Sequence, residues 1–203
     1  MKNTIKNSKK GILMVIMFTT MLSFANEANL SIVKNAAKKT SLTLTNVKQG
    51  NLLSIKDVFG ITLYKEVIKE NGTYTKGFDL TALPNGAYLF VLDKDIEINT
   101  IPFTVKSNIV AFNKAKETTV FKPNLRVEGD LVFVSKLNLE ETPLNIKVYY
   151  TQKGSTTSDL IFSENITDTK IIERTFKLEN KQLGSFKIVI LFEGNEFVKS
   201  INS

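Results

Sequence analysis

Beyond residue 25 this sequence predicts an all-β protein built as two sandwiches in tandem, and three observations predict it. Apolar residues recur at every second position, as in Ser41-Leu42-Thr43-Leu44-Thr45 and Ile96-Glu97-Ile98-Asn99, which is the period of a strand with one buried face. Turn-forming pairs such as Gln49-Gly50, Phe59-Gly60, Asn71-Gly72 and Asn85-Gly86 interrupt that alternation. Strand follows strand at roughly 8–12 residues, the spacing of an antiparallel sandwich. The third observation is that the plan is written twice. Leu53-Ser54-Ile55-Lys56 returns as Leu144-Asn145-Ile146-Lys147, Phe78-Asp79-Leu80 as Phe176-Lys177-Leu178, and Gly86-Ala87-Tyr88 as Gly184-Ser185-Phe186. The pair Leu42-Thr43-Leu44-Thr45 and Leu131-Val132-Phe133-Val134 reads as a further echo. Several matches in one order point to internal duplication.

Residues 1–25 read differently. Lys2, Lys6, Lys9 and Lys10 precede an apolar run from Ile12 to Phe18, and Ser23-Phe24-Ala25 places small residues at a cut. This is the grammar of a signal peptide, with cleavage expected after Ala25 and Ala28 as the alternative. The apolar stretch is about 15 residues where a bilayer span needs about 20, so the mature chain is expected to hold no membrane span. No cysteine stands near the cut to carry a lipid. The protein is therefore expected to be exported, to the periplasm, the cell surface or the medium.

In copy one, residues 26–114, strands are expected near 30–34, 40–46, 52–58, 61–69, 74–80, 87–93 and 96–105. In copy two, residues 115–203, they are expected near 119–126, 131–137, 144–151, 158–165, 171–178, 185–192 and 196–201. About seven strands in roughly 85–90 residues is the size of an immunoglobulin-like domain. The joint is expected near 112–118, where Asn113-Lys114-Ala115-Lys116-Glu117 loses the alternation.

Composition excludes much chemistry. The chain has no His, Cys or Trp, and all four methionines lie in residues 1–25. Imidazole and thiolate serve most side-chain catalysis near neutral pH and most zinc sites. No catalytic residue, cofactor or metal is therefore expected. The whole chain carries 27 basic and 20 acidic residues. Four lysines and no acids lie in residues 1–25, which leaves 23 against 20, or +3, in the mature chain. The signs alternate rather than cluster, so nucleic acid is not expected as a partner.

The strongest local motif runs from Asp79 to Val91. Pro84 fixes φ ahead of a turn, Asn85-Gly86 can take positive φ, and Tyr88 enters the next strand, where its hydroxyl can reach back to the turn backbone. Pro84, Asn85, Gly86 and Tyr88 are expected to form a tyrosine corner. Copy two has Phe186 in place of the tyrosine, so its corner is expected to be looser.

Together with Leu53-Ser54-Ile55-Lys56-Asp57-Val58, Phe59-Gly60 and Leu63-Tyr64-Lys65-Glu66, this motif resembles the sorting domain of type IX secretion in Bacteroidetes. The resemblance runs from about Leu42 to Val105. It implies a small immunoglobulin-like sandwich that directs cargo across the outer membrane. Such a domain sits at a C-terminus, and here copy two takes that place with the weaker form of the motif.

Other candidates carry weaker signals. Asp93, Asp95 and Glu97, two apart, could turn carboxylates to one side for Ca²⁺, or could form a solvated hairpin tip. Of the adjacent Tyr149 and Tyr150 one is expected to be exposed, which admits a carbohydrate platform or simple cross-strand packing. The expected function is binding or scaffolding in the cell envelope, the partner being another envelope or secretion-machinery protein. The alternatives are cargo or accessory of type IX secretion and, more remotely, a carbohydrate-binding module.

Overall fold

The structure, a computed structural model, describes residues 30–34 and 40–202, the first of these segments by its backbone alone. The expected signal peptide and both candidate cut sites lie outside the described residues. Sixteen strands account for the described chain. Copy one supplies β1 (Leu30–Lys34), β2 (Thr40–Val47), β3 (Leu52–Asp57), β4 (Thr62–Val67), β5 (Gly72–Phe78), β6 (Gly86–Asp93), β7 (Glu97–Lys106) and β8 (Ile109–Phe112). There follow β9 (Thr118–Phe121), β10 (Asn124–Glu128), β11 (Leu131–Leu137), β12 (Leu144–Gln152), β13 (Asp159–Ile166), β14 (Ile171–Lys177), β15 (Gly184–Phe192) and β16 (Asn195–Ile201). The protein is all-β, and its strands form tandem β-sandwiches.

The two halves share one topology. A three-stranded sheet β1-β2-β5 faces the run β4-β3-β6-β7, and β10-β11-β14 faces β13-β12-β15-β16. Every pairing is antiparallel. Alternation drives this arrangement. Tyr88, Phe90 and Leu92 turn inward from β6, and Leu144, Ile146 and Val148 from β12. The apolar faces meet in two cores with no residue in common. One gathers Leu42, Leu53, Phe90 and Phe103, and the other Val132, Ile146, Ile188 and Ile190. Burying each such side chain is worth roughly 1.5–3 kcal/mol, and no disulfide assists among the described residues.

Two expectations need correction. The single strand expected over 119–126 is two strands serving different sheets. β9 pairs with β7 of copy one, while β10 pairs with β11 of copy two. The switch falls at Lys122-Pro123: the Lys122 N–H still bonds to the Ile96 carbonyl at 2.8 Å, and Pro123 has no N–H to extend the ladder. The echo of Leu42 by Leu131 is also one residue out of phase. Leu42 and Leu44 are buried, and so are Val132 and Val134, whereas Leu131 faces the other way. A slip of one position exchanges the faces of a strand.

The outer edge of β7 is covered by two strands in succession. β8 pairs with Phe103–Lys106 and β9 with Glu97–Thr100, a short 3-10 turn at Lys114–Lys116 joining them. Although β9 belongs to the sheet of copy one, its Val120 is buried in the core of copy two. Lys122 adds an ion pair to Asp93.

Candidate interaction surface

The corner residues lie at the end of β6 away from copy two. Pro84, Asn85 and Gly86 are exposed and Tyr88 is buried. The Tyr88 hydroxyl donates to the Pro84 carbonyl oxygen at 2.8 Å, and its ring stacks on Phe103 with centroids 5.4 Å apart. Asn85 acts through its side chain: Oδ1 accepts the Ser107 N–H at 2.8 Å and so ties down the turn between β7 and β8. That turn takes the left-handed conformation, with φ of 48° at Ser107 and 59° at Asn108. Neither Asn85 nor Gly86 does, against the expectation from sequence. Space at 86 is tight, because a Cβ there would stand 3.3 Å from the Tyr88 hydroxyl. In copy two Tyr150 occupies the corner, its ring 5.0 Å from that of Phe186. A Cβ on Gly184 would lie 2.3 Å from the Thr151 carbonyl oxygen and 2.7 Å from the Tyr150 ring. The corner expected to be looser is thus filled by a second aromatic.

A repeated cluster that the sequence reading missed joins the two sheets of each copy. Glu66 on β4 accepts from the Tyr74 hydroxyl at 2.9 Å and from Lys76 at 2.5 Å, both on β5, and also from the Tyr64 hydroxyl. Ninety-eight positions later Glu164 on β13 takes a two-pronged bond from Arg174 on β14, at 2.8 and 2.6 Å. The aromatic pairs repeat as well: Tyr64 meets Phe78 edge-on at 5.2 Å, and Phe162 meets Phe176 at 5.1 Å. The Lys76 ammonium, with the tyrosine hydroxyls, holds the Glu66 carboxyl down at about 2. Arg174 lowers Glu164 in the same direction. Each cluster closes one long side of its sandwich. The shared offset between two acid–base pairs was the signal in the sequence.

Asp93, Asp95 and Glu97 do not converge. They pair separately with Lys122, Lys48 and Lys94, and among the described residues no group of three acids, His or Cys comes together. Tyr149 and Tyr150 face opposite ways, Tyr150 against the core of copy two and Tyr149 outward, yet both are half-buried and neither is exposed. The pairing of β12 with β13 shifts register between Val148 and Tyr149, and the Lys187 ammonium lies over the Tyr149 ring at 4.9 Å.

Among the described residues, large apolar side chains are exposed in several places, and two of these surfaces are shaped to bind. The turn from β3 to β4 carries Val58, Phe59 and Ile61 outward, with Phe59 87% exposed. The turn is held rigidly: Asp57 Oδ1 accepts the N–H of Phe59 at 2.9 Å and of Ile61 at 2.8 Å, while Gly60 adopts φ 86°. The second surface is a groove of about 800 Å³ where the copies meet. Its apolar lining includes Ile96, Phe121, Leu137, Leu139 and Ile171, each more than half exposed. Lys136 lies along one wall with its ammonium 4.7 Å over the Phe192 ring, and burial pushes its pKa down. Exposed apolar patches of this kind mark interaction sites.

No family model matches this chain, and neither does any curated protein. Among solved structures it overlaps a two-domain fibronectin type III segment of chicken tenascin at 11% identity and TM-score 0.27, covering 87% of this chain and 98% of that one. The ligand-binding domain of human OSCAR overlaps at 7% identity and TM-score 0.24, covering 86% of this chain and 97% of that one. The BSP domain of a biofilm-associated protein gives 8% identity and TM-score 0.24 over 86% of this chain, which spans only 29% of that structure. Superpositions this weak carry no argument about function. No helix among the described residues is long and apolar enough to cross a membrane.

Proposed function

We propose that this is an exported, non-catalytic binding or scaffolding protein of the cell envelope, working without a cofactor. Its two immunoglobulin-like modules, residues 26–114 and 115–203, are joined by β9, which belongs to the sheet of one and the core of the other. Pro84, Asn85, Gly86 and Tyr88 serve the fold: they hold the end of β6 and the adjoining turn in place.

One observation carries the reading. The fold satisfies its own cores and still leaves a rigid apolar turn and an apolar groove open to solvent. Solvated apolar area on rigid elements has little value to the free molecule and stabilises a complex at small entropic cost. The partner is accordingly another protein, of the envelope or of the secretion machinery. Capture on immobilised protein should recover one stoichiometric envelope protein, and Leu139→Asp or Phe59→Asp should abolish the capture. Recovery of nothing, or of the same set on both variants, overturns the reading.

A second reading, cargo or accessory of type IX secretion, is favoured by the motif at 79–91. Fusion of residues 119–203 to a reporter tests sorting by copy two: passage beyond the outer membrane supports it, and retention in the periplasm counts against it.

A further inference from the structure

The two copies share a fold but differ at one turn. In copy two the connection from β12 to β13 is Lys153-Gly154-Ser155-Thr156-Thr157-Ser158, which is polar throughout. In copy one the equivalent turn presents Val58, Phe59 and Ile61. The architecture therefore does not demand apolar residues at that point, and the Asp57 bonds hold them outward in a set shape.

The strand registers fix where this turn stands. Asp57 lies beside Tyr88 and Tyr88 beside Phe103, while at the other end Leu52 lies beside Asp93, Asp93 beside Ile98 and Ile98 beside Val120. Turn and groove thus occupy opposite ends of one sheet, separated by five residues of strand, about 17 Å. The turn cannot fill the groove of its own molecule. Charge favours a meeting between molecules. Lys56 stands at the foot of the turn and Lys65 lies further along β4, opposite Ser54, neither with an ion pair among the described residues, and Glu140 and Glu173 line the groove equally unpaired. The lysines of the groove are already engaged, Lys122 with Asp93 and Lys136 with the Leu137 carbonyl oxygen.

We propose that the β3–β4 turn of one copy seats in the junction groove of a second copy. Phe59 enters among Phe121, Leu139 and Ile171, and Lys56 and Lys65 come to Glu140 and Glu173. Each contact leaves one turn and one groove free, so the association is head-to-tail and repeats along a line. The inference rests on the reading of both apolar surfaces as binding surfaces, and it names a first partner for them.

Sedimentation of the purified protein from micromolar to millimolar concentration tests it. The parent should form a concentration-dependent series of oligomers, weakened by salt. Phe59→Asp and Leu139→Asp should each weaken association at least about tenfold. A mixture of the two should give dimers and nothing longer, because one variant keeps its groove and the other its turn. Both residues are exposed, so the thermal midpoints should match the parent. Phe59→Ser with Ile171→Ser provides a second pair should an added charge disturb the fold. A parent that stays monomeric to millimolar concentration, or a mixture that stays monomeric, overturns the proposal. In either case, capture of an envelope protein lost in Leu139→Asp would leave the binding reading standing.

Discussion

Removing the Tyr88 hydroxyl would leave the Pro84 carbonyl oxygen, 2.8 Å away, without its donor. Tyr88→Phe should therefore cost about 1 kcal/mol, the net worth of one such bond. A denaturant midpoint equal to the parent's would contradict that role. Glu66 links stability to acidity. Its pKa is held at about 2 in the folded protein against an ordinary 4.5. Depressed carboxyls stabilise fully above the ordinary value and lose that contribution as pH falls through the folded one. Thermal midpoints should hold steady down to about pH 4.5 and fall towards pH 2, with Glu164 adding in the same sense. Glu66→Gln should lower the midpoint at neutral pH and flatten the acid limb. Of these details the Tyr88 motif was legible, because Pro84-Asn85-Gly86 punctuates the chain locally. The Glu66 cluster was not, since Tyr74 and Lys76 stand on another strand, eight and ten positions away.

At the scale of strands, alternation carried most of the information. Leu53-Ser54-Ile55 and Leu144-Asn145-Ile146 announce their buried faces, and β3 and β12 follow them. β8 was hidden and β9 was merged with β10 for a physical reason: at four residues each, their pattern is too short to stand apart from its surroundings, and only the edge of β7 organises them. The two corner glycines separate close approach from conformational freedom. At Gly184 an added methyl meets backbone at 2.3 Å, so β12 or β15 must shift. Gly184→Ala should cost about 1–3 kcal/mol by overpacking. Gly86→Ala, facing the movable end of Tyr88 at 3.3 Å, should cost less. Denaturant midpoints of the pair measure the difference, and equal shifts would count against the close approach at Gly184.

For the molecule as a whole, duplication was legible because matched residues keep their order and spacing, as Gly86 and Gly184 do. The groove was not, since Ile96, Phe121, Leu137, Leu139 and Ile171 come from four separate stretches of chain. No periodicity marks residues that meet only where two units abut. Strand β9 also bears on how the chain would answer a mechanical pull. Four residue pairs hold it against β7, and the other ladders have four to nine. Were the β7–β9 ladder to part first, Asn113 to Pro123 would straighten to about 35–40 Å. The seam would then give length under load while the ladders within each sandwich stayed whole.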